Sequence, residues 1–260
     1  MQKNEKSDLL GTARRTFSNA NRHFCNLEIE DAKFFQLNPL QIVVDSDIST
    51  GFDIHKVALT APLPEAIIGL AFDFVGNLRA SLDQACYAIA IASTPGSNGK
   101  KAHFPFGKTL DDVLKKKKKD GGSKNIPDVF FDLILESKPY RDGNYALWQL
   151  NNLCNTSKHE LLGPIATHFE PMSVVKNAKF ESLVSLKIPP RWDFKRQEMI
   201  IAIVKHGTKA DFEIHLDSFL AIGGDSEISG APAIRTFFAM KKNVESILDK
   251  LEEKIDSLGL

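Results

Sequence analysis

Apolar residues recur at alternating spacings of three and four through the first stretch of the chain. They are Leu10, Ala13, Phe17, Ala20, Phe24, Leu27 and Phe34, with Asp31 filling one slot. That period marks one face of an α-helix. Ser7 and Asp8 can cap its start, and the pair Asn38-Pro39 ends it, because a residue before proline is pushed out of helical geometry. The pattern predicts a helix over about 8–36. Residues 40–45 (LQIVVD) and 52–60 (FDIHKVALT) then read as strands, and SDISTG between them supplies the turn of a β-hairpin. Pro62 and Pro64 open a second long helix over 64–93, proline being well suited to a first helical turn.

Beyond a loop at 94–99, HFPF (103–106) is short and extended. Thr109, with Asp112 three residues on, starts a short helix as a capping box. Pro127 opens another helix, PDVFFDLILES, which stops before Pro139. Residues 144–162 form a further helix, closed by Gly163-Pro164. Strand-like runs follow at 165–175, 180–188, 198–205 and 211–222, with turns at KNAK, PPRWD and HGTK, which predicts an antiparallel meander. A last helix covers 232–258, with Phe237, Val244, Ile247 or Leu248, Leu251, Ile255 and Leu258 on its apolar face. The expected architecture is a single α+β domain over 1–260. Four long helices (8–36, 64–93, 144–162 and 232–258) pack with an antiparallel sheet.

Composition narrows the class. An apolar content of 43% is enough for a sizeable core. Lysine and arginine (33) balance aspartate and glutamate (33), so no global field draws the chain to nucleic acid or an acidic membrane. The run Lys115–Lys119 therefore reads as a solvated helix end, with a nucleic-acid contact as the less favoured reading. Cys25, Cys86 and Cys154 are odd in number and far apart, which fits free thiols in a reducing compartment. MQKNEKSDLL lacks the apolar stretch of a secretory leader, and no apolar run is long enough to span a membrane. The expectation is a cytoplasmic protein with no membrane partner. No HExxH or CxxC spacing points to a metal, and no P-loop, GxGxxG, GxSxG or kinase signature points to a cofactor. Oligomeric state is left open by these features.

The chemistry gathers on two helices. At about 100° per residue, Ile67, Phe74, Val75, Leu78, Leu82, Ala85 and Ile89 share one side of the helix 64–93. Asp73, Asn77, Ala80, Gln84 and Tyr87 form a stripe on the other, with Arg79 and Asp83 beside it at ion-pair spacing. Gly76 allows close approach of a backbone or a ligand. This stripe is short-chained and amide-rich, unlike the Lys- and Glu-filled face of an ordinary solvated helix. On 144–162 a matching stripe holds Trp148, Asn152, Asn155 and His159, flanked by Asn151 and Lys158. If the two stripes meet, His159 is the candidate acid–base, because it titrates near neutral pH. Arg79 and Lys158 are candidates to bind a phosphate or carboxylate. Asp83 is placed to orient a cation or the imidazole, and Trp148 to stack on a base or sugar.

These residues resemble an uncharacterised bacterial protein family. Its central helix reads Asn-Leu-Arg-x-x-Leu-Asp-His, and a later helix reads Leu-Trp-x-Leu followed by a Lys-His ending. The resemblance runs from about 64 to 162 and carries no activity with it. Asn77, Leu78, Arg79, Leu82, Asp83, Pro105, Pro139, Tyr140, Leu147, Trp148, Leu150, Asn155, Lys158 and His159 match. Gln84 stands in place of His, and Cys154 and Ser157 in place of Asp, which removes ionisable groups from the pattern. A looser resemblance is to HEPN-type helical RNases, which pair Arg with a His four to six residues later. Asp83, Gln84 and Ala85 occupy those positions here, so that motif is broken.

Two functions follow as expectations. The first is a binding or interaction protein with a polar site between helices 64–93 and 144–162, taking a small anionic ligand or nucleotide. The alternative is a hydrolase or ribonuclease acting on phosphate esters, with His159 as acid–base and Arg79 and Lys158 on the phosphate.

Overall fold

A computed structural model describes residues 8–93, 99–118, 121–159, 165–170, 176–187, 191–193, 195–213, 217–223 and 227–260. For 156–159, 165–170, 176–178, 213 and 217 it describes the backbone alone. Among the described residues, six helices and antiparallel sheets make the chain an α+β protein. Its contacts group into two compact units. One comprises 1–27, 69–163 and 234–260, the other 28–68 and 164–233.

The first unit is helical. It holds the start of α1 (Gly11–Gln36), most of α2 (Glu65–Ser93), α3 (Leu110–Lys117), α4 (Asp128–Glu136), α5 (Tyr145–His159) and nearly all of α6 (Ala233–Leu258). The apolar periods read from the sequence point inward. Ala13, Ala20, Phe24 and Leu27 of α1 are buried, as are Phe74, Leu78, Leu82, Ala85 and Ile89 of α2. On α6, Phe237, Val244, Ile247, Leu248, Leu251 and Ile255 are buried, whereas Leu258, in the last turn, is exposed. Phe74 is the hub, its ring centre lying 5.4 Å from that of Phe24 and 5.2 Å from that of Phe237.

Helices α1 and α6 run antiparallel, with Arg14 beside Glu252 and Asn21 beside Lys241. Arg14 donates through Nε to Glu252 Oε1 at 2.6 Å and through Nη2 to Asp249 Oδ1 at 2.6 Å. Thr109 caps α3 through the predicted box with Asp112. The lysine run departs from expectation at one position. Lys115, Lys116 and Lys118 are exposed, but Lys117 pairs with Asp128 at 2.8 Å and donates to the Ile126 carbonyl. Its ammonium also lies 5.6 Å from the centre of the Phe131 ring. A long side chain with an apolar stem can thus fasten the end of α3 to the start of α4. Lys119 lies outside the described residues.

The second unit carries the strands. β1 (Leu40–Asp47) and β2 (Phe52–Leu59) form the predicted hairpin, from Leu40↔Leu59 to Asp47↔Phe52. Asp47 Oδ1 accepts from the Ser49 amide at 2.9 Å, and Gly51 takes the left-handed φ of +70° that closes the turn. β3 (Ile165–Glu170), β4 (Lys176–Phe180), β5 (Leu183–Leu186), β6 (Trp192–Asp193), β7 (Glu198–Lys205), β8 (Ala210–Glu213) and β9 (Asp217–Ile222) follow.

These strands do not form a simple meander. β7 joins the N-terminal hairpin, giving the order β1-β2-β7-β5 with β6 also on β7. β3 pairs with β9, and β4 with β8. The predicted strand 211–222 is therefore two strands with different partners. Val57, Trp192, Met199, Ile201 and Ala202 form the core of this sheet.

Asp31 occupies an apolar slot of α1. Its Oδ1 is buried with no hydrogen-bond partner among the described residues. Burial, and then the nearby charge of Glu28, push its carboxyl up to about 6. The folded state therefore holds the proton more tightly than the unfolded chain, whose aspartates titrate near about 4. Stability should fall as pH rises from about 4 to about 6 and stay lower above that. Asp31→Asn removes this loss. It should stabilise the protein at pH 7.5 by roughly 1–2 kcal/mol, allowing for solvent screening at a half-buried site, and change little at pH 4. Urea unfolding at the two pH values checks this, and an equal effect at both would refute it.

Candidate functional site

Arg79 and Asp83 sit one helical turn apart on α2, with Nη1 2.5 Å from Asp83 Oδ2. Their side chains are only 18% and 30% exposed. Nη1 is buried and makes no directional hydrogen bond among the described residues, so this contact is Coulombic. Nε of Arg79 donates to Asn151 Oδ1 on α5 at 3.4 Å. The guanidinium carbon lies 4.5 Å from the centre of the Phe106 ring, within cation–π range. Asp83 Oδ1 accepts the backbone N–H of Phe104 at 2.8 Å, and Nδ1 of His103 is 4.0 Å from the same oxygen.

One ion pair therefore joins three parts of the helical unit: α2, α5 and the extended segment HFPF. Within HFPF, the His103 N–H donates to the Gly122 carbonyl at 2.9 Å. The Phe104 amide is satisfied by a side chain, as a buried donor requires.

The other sequence-predicted residues divide. Asp73 is exposed, and Asn77 turns back to donate to the Asp73 carbonyl at 2.7 Å, a bond within its own helix. Trp148 is 5% exposed, with its ring centre 5.6 Å from that of Tyr145 and 5.5 Å from the guanidinium of Arg141. Asn152 is half-buried and Asn155 exposed on α5. Lys158 and His159 lie in the last turn of α5, and their side chains are outside the described residues. Along the helix axis, seven residues separate Asn151 from Lys158, about 11 Å.

Sequence reasoning missed His103, which stands beside Asp83 with 67% of its side chain exposed. It also missed the role of Phe106 as the platform for Arg79. The signal was HFPF itself, an uncharged aromatic segment set between lysine- and glycine-rich stretches.

The arrangement restricts the chemistry. Cys86, three residues beyond Asp83, is completely buried. Desolvation and then the Asp83 charge push its thiol far above the usual cysteine range, so it is no nucleophile. Gly76 lies on the same side of α2 as Asp73 and Ala80. A Cβ there would meet nothing within 4 Å outside its own helix. Oε1 of Gln84, further along that side, is buried without a partner among the described residues. Among the described residues, no group of three or more His, Cys, Asp or Glu could hold a metal ion. No family model, no curated protein and no solved structure matches this chain.

Proposed function

We propose that this chain is a cytoplasmic binding protein rather than a catalyst. Its recognition face is the polar stripe of α2 with the adjoining turns of α5, and its ligand is a small anionic molecule or nucleotide. The observation that carries this reading is the immobilised Arg79–Asp83 pair. Both Asp83 oxygens are engaged, and Arg79 is held by Asp83, Asn151 and Phe106. Such a network presents a preorganised surface, which lowers the cost of binding. It leaves Asp83 no free role in proton transfer.

Gly76 supports the same reading. A helix-interior glycine costs about 1 kcal/mol relative to alanine, and among the described residues no atom outside its helix lies within 4 Å of where a Cβ on Gly76 would stand. A bare backbone is what a closely seated ligand needs. Cys25, Cys86 and Cys154 form no disulfide, which fits a reducing compartment. No helix among the described residues is long and apolar enough to cross a membrane.

The test is a thermal-shift screen with nucleotides and sugar phosphates. Gly76→Ala should raise the melting temperature of the unliganded protein and reduce the shift produced by ligand. An undiminished ligand shift in Gly76→Ala would remove the binding face from this stripe. Turnover of a phosphate ester that is lost in His159→Ala would favour the hydrolase instead.

A further inference from the structure

In the strand unit, one edge of β7 is shared. β2 covers the opposite edge from Lys205 to Glu198. On the shared edge β5 pairs with β7 around Ala202 to Val204, while β6 pairs only with Met199 and Glu198. Beside the end of β5, β6 and the start of β7 lies an open cavity of about 480 Å³. That volume lies within the range of small-molecule sites. Leu186 and Ile200 give it an apolar part, and Lys187, Arg191 and Arg196 give it three cations.

Two carboxylates also line the cavity, and both have partners. Glu198 pairs with Lys56 of β2 at 2.5 Å. Asp193 Oδ1 accepts the backbone N–H groups of Lys195 and Arg196 at 2.9 and 3.1 Å. Those bonds, with the charges of Arg196 and Lys195, hold its carboxyl below the usual range. No ion pair involves Lys187, Arg191 or Arg196 among the described residues. Three cations thus line a cavity with two carboxylates, one of which, Glu198, is already paired with a cation from outside it.

We infer that this cavity binds the phosphate of a small phosphorylated metabolite of about mononucleotide size. Arg191 and Arg196 grip the phosphate oxygens, Lys187 adds a point charge, and the organic part lies on Leu186 and Ile200. Guanidinium groups suit this task because their planar fork matches two phosphate oxygens. This inference does not rest on the function proposed for the α2 stripe.

Isothermal titration at low ionic strength tests the site. The probes are adenosine monophosphate, a hexose phosphate, inorganic phosphate and uncharged adenosine. Wild type should bind the two phosphate esters saturably, inorganic phosphate more weakly, and adenosine not at all. Arg191→Gln with Arg196→Gln should weaken ester binding by about tenfold or more, and the paired lysine substitutions should restore part of it. These side chains are exposed, so circular dichroism and melting temperature should stay near wild type. Three results would overturn the site: no saturable binding by wild type, adenosine binding as tightly as its monophosphate, or unchanged binding in the glutamine pair. Binding kept by the glutamine pair but lost in Gly76→Ala would overturn it too, while sustaining the α2 face. Tighter binding of single-stranded oligonucleotide than of any monophosphate would replace the small metabolite with nucleic acid.

Discussion

Phe74→Ala should lower the unfolding free energy by about 3–5 kcal/mol, the largest loss expected from any single substitution considered for this chain. Phe74 is fully buried and its ring meets Phe24 of α1 and Phe237 of α6. Truncation removes the burial of a large aromatic side chain and leaves a void that three helix backbones must collapse to fill. Fixed helices relax only in part, so the cavity adds to the lost transfer free energy. Phe74→Leu keeps most of the volume and should cost less than half as much. Urea unfolding followed by far-ultraviolet circular dichroism measures both. For a chain of this size each kcal/mol corresponds to roughly 2–4 °C in melting temperature. A cost below about 1 kcal/mol for the alanine variant would mean that the three rings do not form the hub.

Asp83→Ala should cost roughly 2–4 kcal/mol, and much of that loss should vanish when Arg79 is removed as well. The single substitution strips a half-buried guanidinium of its counter-ion and leaves the Phe104 N–H without its acceptor. An unpaired buried charge is expensive, although residual exposure here discounts the full penalty. In Arg79→Ala/Asp83→Ala no charge is stranded, so a double-mutant cycle should show a coupling of about 1–3 kcal/mol. Asp83→Asn keeps an acceptor for Phe104 and should fall between wild type and the alanine variant. Additive single effects would show that the pair is an ordinary surface contact and would remove the rigid framework from the proposed binding face. The readout that connects stability to function is proteolysis within 99–108. Asp83→Ala should make this stretch more susceptible, because Asp83 holds HFPF.

Much of this protein follows from local pattern. The apolar period placed α1, α2 and α6 to within about three residues at their ends, because each helix buries one stripe and the sequence writes that stripe directly. The capping box at Thr109 and the hairpin turn at SDISTG were legible for the same reason: the signal and its partner lie within four residues. The α2 site was half legible. The Arg79–Asp83 spacing announced an ion pair, and Asn151 was recognised as flanking the α5 stripe. Asp31 stood out as the acid in an apolar series, and its raised pKa is the consequence.

Tertiary structure decided what depends on distant partners. Strand existence can be read from composition, but strand neighbours cannot. β7 pairs with a hairpin about 150 residues earlier, and no local feature encodes that choice. Lys117 looked like its exposed neighbours in the run until Asp128 and Phe131 were brought beside it. HFPF had no assigned purpose until Asp83 and Arg79 supplied partners for Phe104 and Phe106. The cavity beside β6 and the start of β7 was invisible, because Lys187, Arg191 and Arg196 are ordinary surface residues in sequence. Helical stripes and turns are properties of consecutive residues. Sites and sheets are properties of residues that only the folded chain makes neighbours.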